Sequence, residues 1–102
     1  ENITITFDKG TNTSNGPKYY NTGKAVRCYG GNFINIATSK DKITSIDRTF
    51  SADEEYSNEI TADSGTYTAG SWSGSAASVK FTIGGTTGHR RIAKIVVTTK
   101  AE

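Results

Sequence analysis

The sequence predicts an all-β fold, a two-sheet antiparallel β-sandwich of jelly-roll type with about seven to eight short strands. Three observations carry that prediction. Apolar residues recur with period two, as in Ile3, Ile5 and Phe7 or Val79, Phe81 and Ile83, which marks strands with one buried and one wet face. The chain has no Leu and no Met, and its apolar residues are concentrated in Ile, Val, Phe and Tyr; these suit a pleated surface, while strong helix formers are scarce. Turn residues punctuate the runs, with 11 glycines and many Asn and Ser among them. A length of 102 residues supports one core, so 1–102 is read as a single module.

Taken in order, Ile3, Ile5 and Phe7 alternate with Thr4 and Thr6 in a first strand. Asp8 to Gly23 reads as a long loop that also carries Tyr19 and Tyr20, a sign of function or mobility. Ala25 to Tyr29 is a second strand, with Val26 and Cys28 on one face and Arg27 and Tyr29 on the other. Gly30, Gly31 and Asn32 then turn the chain into a third strand, with Ile34 and Ile36 inward and Phe33 and Asn35 outward. The expectation is a hairpin. Ile43, Ile46, Arg48 and Phe50 depart from strict alternation, which predicts a bulge between Ile43 and Ile46, with a short helix as the competing reading. Ser51 to Asp63 is acidic, with a short strand near Ile60; Thr66 to Ala69 is another strand, and Gly70 to Gly74 bends the chain. Val79 to Thr99 reads as a terminal hairpin around Gly84, Gly85 and Gly88.

Several chemistries are disfavoured. A formal charge of +2 is far from the dense basic field that nucleic acid binding needs, so no nucleic acid partner is expected. No segment approaches the roughly 18 consecutive apolar residues of a membrane span, so no membrane partner is expected either. Cys28 has no second cysteine to pair with and reads as a small buried hydrophobe. The acids cluster in one polar loop rather than flanking a cleft, and the single histidine, His89, sits beside Arg90 and Arg91. Neither paired-carboxylate nor nucleophilic catalysis follows from that text, so the chain is read as not an enzyme. No cofactor is expected; structural calcium is the one ion entertained, on Asp53, Glu55, Asn58 and Asp63, with Asp8 as a separate candidate. No catalytic metal is expected.

Surface aromatics point elsewhere. Arg27, Tyr29, Phe33 and Asn35 would share the outer face of the expected hairpin, with Tyr19, Tyr20 and Trp72 supplied by loops. A pyranose packs its CH face on a ring, and its hydroxyls bond to planar amides and guanidinium groups. Lys18, Lys24, Arg27, Lys80, Arg90 and Arg91 could line a face that meets carboxylate-bearing sugars, with solubility of the wet face as the competing role, and His89 is a separate candidate for ligand contact. Core packing of Trp72 and a hairpin-turn role for His89 stand against this.

The segments YYNTGKAVRCYGGN, KITSID and WSGSAASVKFTIGGTTGHRRIAKIVVT resemble small β-sandwich modules of secreted, multi-modular proteins of gut and rumen bacteria, particularly non-catalytic carbohydrate-binding modules beside polysaccharide-degrading enzymes. The resemblance covers most of the chain. It implies a secreted or cell-surface module whose partners are plant cell-wall polysaccharide (β-glucan or pectin-type glycan) and the tethered enzyme modules of its parent; a monomer is expected, and the strand-like start at Glu1 reads as that of a module excised from a longer precursor. No site residue is carried over from it. The alternative is a structural spacer, adhesin or surface-sorting domain with no small ligand.

Overall fold

The computed structural model describes residues 3–20, 24–51, 58–68 and 70–100. Ten strands lie within them: β1 (Ile3–Asp8), β2 (Lys18–Tyr20), β3 (Ala25–Tyr29), β4 (Phe33–Thr38), β5 (Lys42–Phe50), β6 (Ile60–Ala62), β7 (Thr66–Thr68), β8 (Ser71–Ala76), β9 (Ser78–Ile83) and β10 (His89–Lys100). They form two antiparallel sheets, one ordered β1-β4-β9-β6 and the other β2-β3-β10-β5-β8-β7. The fold is the all-β, two-sheet sandwich that the period-two patterning predicts, with more strands than expected.

The extra strands lie where turn vocabulary hides them. β2 sits inside the expected Asp8–Gly23 loop, and β8 occupies most of the expected bend at Gly70 to Gly74. Strand β5 is continuous from Lys42 to Phe50, without a helix, and its register with β8 shifts between Ile43 and Ser45 as the broken alternation requires. A short strand does start at Ile60.

Connectivity differs more. β3 pairs with β2 and β10, whereas β4 pairs with β1 and β9, so Gly30 to Asn32 carries the chain from one sheet to the other and is not a hairpin turn. β9 and β10 are likewise in opposite sheets, and the expected terminal hairpin is a second crossing. A tight turn between alternating runs can serve either geometry, since period two states which residues face the core and not which sheet holds them.

The core fills the space between the sheets. Ile34 and Ile36 of β4 and Val79, Phe81 and Ile83 of β9 meet Cys28, Ile43, Ile46, Trp72 and Ile92 from the larger sheet. Ile5 and Phe7 pair in register with the buried Ile36 and Ile34 and share their inward direction. Being on an edge strand, they remain 39% and 37% exposed.

One core position is charged. Arg48 of β5 is buried, and none of its guanidinium nitrogens closes a hydrogen bond among the described residues. The group packs 3.7 Å from the Phe81 ring centroid and 5.5 Å from that of Tyr67, a cation–π arrangement that offsets part of the desolvation. Burial lowers the pKa of Arg48, opposed by neighbouring Tyr67 and Cys28.

Two predictions arise from this core. Arg48→Met, which fills similar space without the charge, should raise stability by about 1 kcal/mol, or ~4–8 °C in Tm. Thermal unfolding checks this, and a comparable drop would show that the ring contacts outweigh desolvation. Burial also pushes the Cys28 thiol up to about 12, with Arg48 acting in the opposite sense. The folded state therefore favours the protonated thiol, and its contribution to stability is complete below the unfolded pKa of about 8.5 and lost as pH rises toward the folded value. At pH 8 an aromatic disulfide reagent should titrate no thiol in the folded chain and one after unfolding in guanidinium; prompt reaction without denaturant would contradict the burial.

Candidate functional site

Three polar loops gather at the end of the sandwich where β3 finishes and β10 begins. They are the segment after β1, the Gly30–Asn32 crossing and the turn from Gly84 to Gly88, and asparagines hold all three. Asn32, fully buried, accepts from the Tyr29 N–H through Oδ1 at 2.8 Å and donates through Nδ2 to the carbonyls of Lys9 at 2.9 Å and Asn15 at 3.0 Å. Asn12 donates to the Gly30 carbonyl at 2.8 Å, and its Oδ1 accepts from the N–H groups of Ser14 and Asn15. Asn58 donates to the carbonyls of Gly84 at 2.9 Å and Thr87 at 2.7 Å. Gly31 permits the close approach: its φ is +88°, and a Cβ there would lie 2.7 Å from Thr11 Oγ1.

Between these loops lie two contiguous depressions of about 300 and 420 Å³, which share Asn12, Asn15 and Thr86. Thr11, Thr13 and Ser14 line the first, while Arg27, Tyr29, Thr87 and His89 line the second. The outer face of β2 and β3 continues from it. Arg27 lies 3.9 Å from the Tyr20 ring centroid, and the Tyr20 and Tyr29 hydroxyls are 3.0 Å apart. Tyr29 meets His89, its register partner on β10, edge to face at 5.4 Å. The Tyr29 hydrogen bond holds the Tyr20 phenol below its ordinary pKa, with Lys18 and Arg27 adding to the effect. Tyr29 moves the other way, chiefly because burial disfavours its ionised form.

Of the residues singled out from sequence, Tyr20, Arg27, Tyr29 and His89 come together here. The others do not. Tyr19 alternates with Tyr20 along β2 and so takes the opposite face, 56% exposed. Lys24, with a φ of +50°, sits at the far end of β3 in the turn from β2. Phe33 and Asn35 belong to β4 and thus to the other sheet, where Lys80 covers the Phe33 ring at 4.3 Å. Trp72 is 1% exposed, and its Nε1–H donates to the Ser64 carbonyl at 2.6 Å. Its indole packs so closely on Gly65 that a Cβ there would stand 2.6 Å from the ring, which makes Trp72 a core residue and removes it from the ligand surface. Arg90 pairs in register with buried Cys28, donates to the Asn58 carbonyl and stacks 4.0 Å from the Phe50 centroid. It lines a separate cleft of about 260 Å³ with Phe50, Glu59 and Tyr67.

For the calcium candidates, Asp53 and Glu55 lie outside the described residues. Asp8 accepts from the Gly10 N–H at 2.9 Å and Asp63 from the Lys80 N–H at 3.0 Å, so these carboxylates and the Asn58 amide hold backbone together. Among the described residues no group of three or more His, Cys, Asp or Glu is placed to hold a metal.

Sequence reasoning missed Asn12, Asn15, Thr86 and Thr87. The signal available was the density of short polar side chains in TNTSN and GGTTG, which favours local side-chain to backbone bonding. The site thus belongs to a two-sheet antiparallel β-sandwich with a preformed polar cleft at one end. Searches of protein-family models, of curated proteins and of solved structures find no match to this chain.

Replacing Asn32 with Ala should lower stability by about 3 kcal/mol, because a buried N–H and two carbonyls lose their partner together. Urea unfolding measures the loss, and amide exchange should show residues 9–15 opening first. A change below about 0.5 kcal/mol would mean that water replaces the amide readily.

Proposed function

We propose that the chain is a non-catalytic carbohydrate-binding module that holds a parent enzyme on plant cell-wall polysaccharide, a β-glucan or pectin-type glycan, outside the bacterial cell. The observation that carries this reading is the cleft shared by Asn15, Arg27, Tyr29, Thr86, Thr87 and His89. Amide, hydroxyl and guanidinium groups surround a tyrosine there, the mixture that a sugar's hydroxyls and CH face require. The asparagine bonds set these loops before any ligand arrives, which limits the ordering entropy of binding. Binding at one such site is weak and reversible, and tethering to other modules raises its effective strength. The resemblance noted from the sequence supports the same reading, including the secreted or cell-surface setting.

The second reading, a spacer or surface-sorting domain, draws on the burial of Trp72 and the separation of Phe33 from Tyr29. These leave no continuous aromatic strip among the described residues.

Affinity electrophoresis against pectins, xylans, mannans and β-glucans separates the two. At least one polysaccharide should retard the chain, and Tyr29→Ala should weaken that interaction about tenfold, the scale of one good ring contact. If no polysaccharide retards it, the spacer reading takes over.

A further inference from the structure

We propose that the glycan taken by this cleft bears an anionic substituent, a carboxylate or a sulfate ester, seated on the paired side chains of Lys18 and Arg27. This inference rests on the carbohydrate-binding reading and narrows its ligand class. Lys18 and Arg27 stand directly opposite each other on β2 and β3. Like charges in direct cross-strand register repel and destabilise a sheet.

Tyr20 offsets part of that repulsion by placing its ring under both, 3.9 Å from the Arg27 guanidinium and 5.7 Å from the Lys18 ammonium. The Tyr20–Tyr29 hydroxyl contact keeps the ring in place. The guanidinium is therefore held by its flat face on Tyr20 while lining the cleft. Arg27 Nε is buried and has no hydrogen-bond partner among the described residues. Two oxygens of a carboxylate or sulfate match a guanidinium's paired terminal N–H groups, and Arg27 lines the cleft.

No described carboxylate fills that role from within the chain. Asp8, Asp47 and Asp63 bond to Gly10, Ser71 and Lys80 respectively, Glu59 lines the other cleft, and neither these nor Asp41 lines this one. The hydroxyls of Thr86 and Thr87 and the Asn15 amide border the same cleft as Arg27, so a sugar carrying the anion would find partners for its neutral hydroxyls as well. A fully neutral sugar would desolvate Arg27 and offer it only weaker acceptors.

The test is calorimetric titration of the intact chain with three probes: an oligogalacturonide, its fully methyl-esterified counterpart and a sulfated galactan oligosaccharide. One anionic probe should bind at least about tenfold more tightly than the esterified one, as expected for a bidentate charged contact. The preferred anion tells carboxylate from sulfate. Raising NaCl from about 50 to 500 mM should weaken binding several-fold. Arg27→Lys should weaken it about tenfold, since an ammonium cannot present the fork, and Lys18→Ala, at an exposed position, should do so about threefold without affecting the fold. Equal binding of the esterified probe, or affinity indifferent to salt and to both substitutions, overturns the anionic assignment while leaving the carbohydrate reading standing. Failure of these probes and of every neutral polysaccharide to bind removes both.

Discussion

The buried amide of Asn32 is the constraint on which the cleft end of this molecule depends. Where the chain leaves β3 and crosses to β4, its backbone has left one ladder and has yet to join the next, so local N–H and C=O groups need other partners. Asn32 supplies several at once. Its backbone N–H donates to the Tyr29 carbonyl, its own carbonyl accepts from Ile83, and its side chain completes the Tyr29 N–H and ties in the segment after β1 through Lys9 and Asn15. The backbone of this one residue ties β3 to β9, and its side chain ties the end of β3 to the loop that walls the cleft. An amide suits this role because it combines an acceptor with two donors and carries no charge to desolvate.

A second theme is how the rings are used. Tyr20, Phe33, Phe50 and Phe81 each have a cation over one face, from Arg27, Lys80, Arg90 and Arg48 respectively. In a chain with little aliphatic bulk, these pairs let long basic side chains contribute packing as well as solubility. They also reduce the aromatic area left open to solvent, while the Tyr29 and His89 rings line the cleft itself.

The strands with clear alternation, and their in-or-out faces, were legible from sequence because alternation reports burial directly: Ile34, Ile36, Phe81 and Ile83 face inward as their spacing says, and Arg27 and Tyr29 do not; β2 and β8, written in turn residues, were not legible. Sheet membership was not legible. Phe33 has the same outward parity as Tyr29, yet the Gly30–Asn32 crossing puts it in the other sheet, and the bonds that decide this reach from Asn32 to residues 17 and 23 positions away. No local pattern encodes contacts at that separation. Trp72 was open between core and ligand surface for a related reason, since its environment is made by Gly65 and Gly74 closing on the indole, and glycines in sequence read as turn residues before they read as a cradle.

The strand order has a consequence for how the molecule is made. In the larger sheet, the β2–β3 hairpin and the β5-β8-β7 group share no pairing with each other, and β10 alone lies between them. Since β10 is the last of the ten described strands in sequence, a chain in synthesis holds two unjoined half-sheets until that strand has emerged. Most of its stabilising contacts are separated by long stretches of sequence, which makes folding slow and late. The cleft shares this timing, because His89, at the start of β10, is part of its wall.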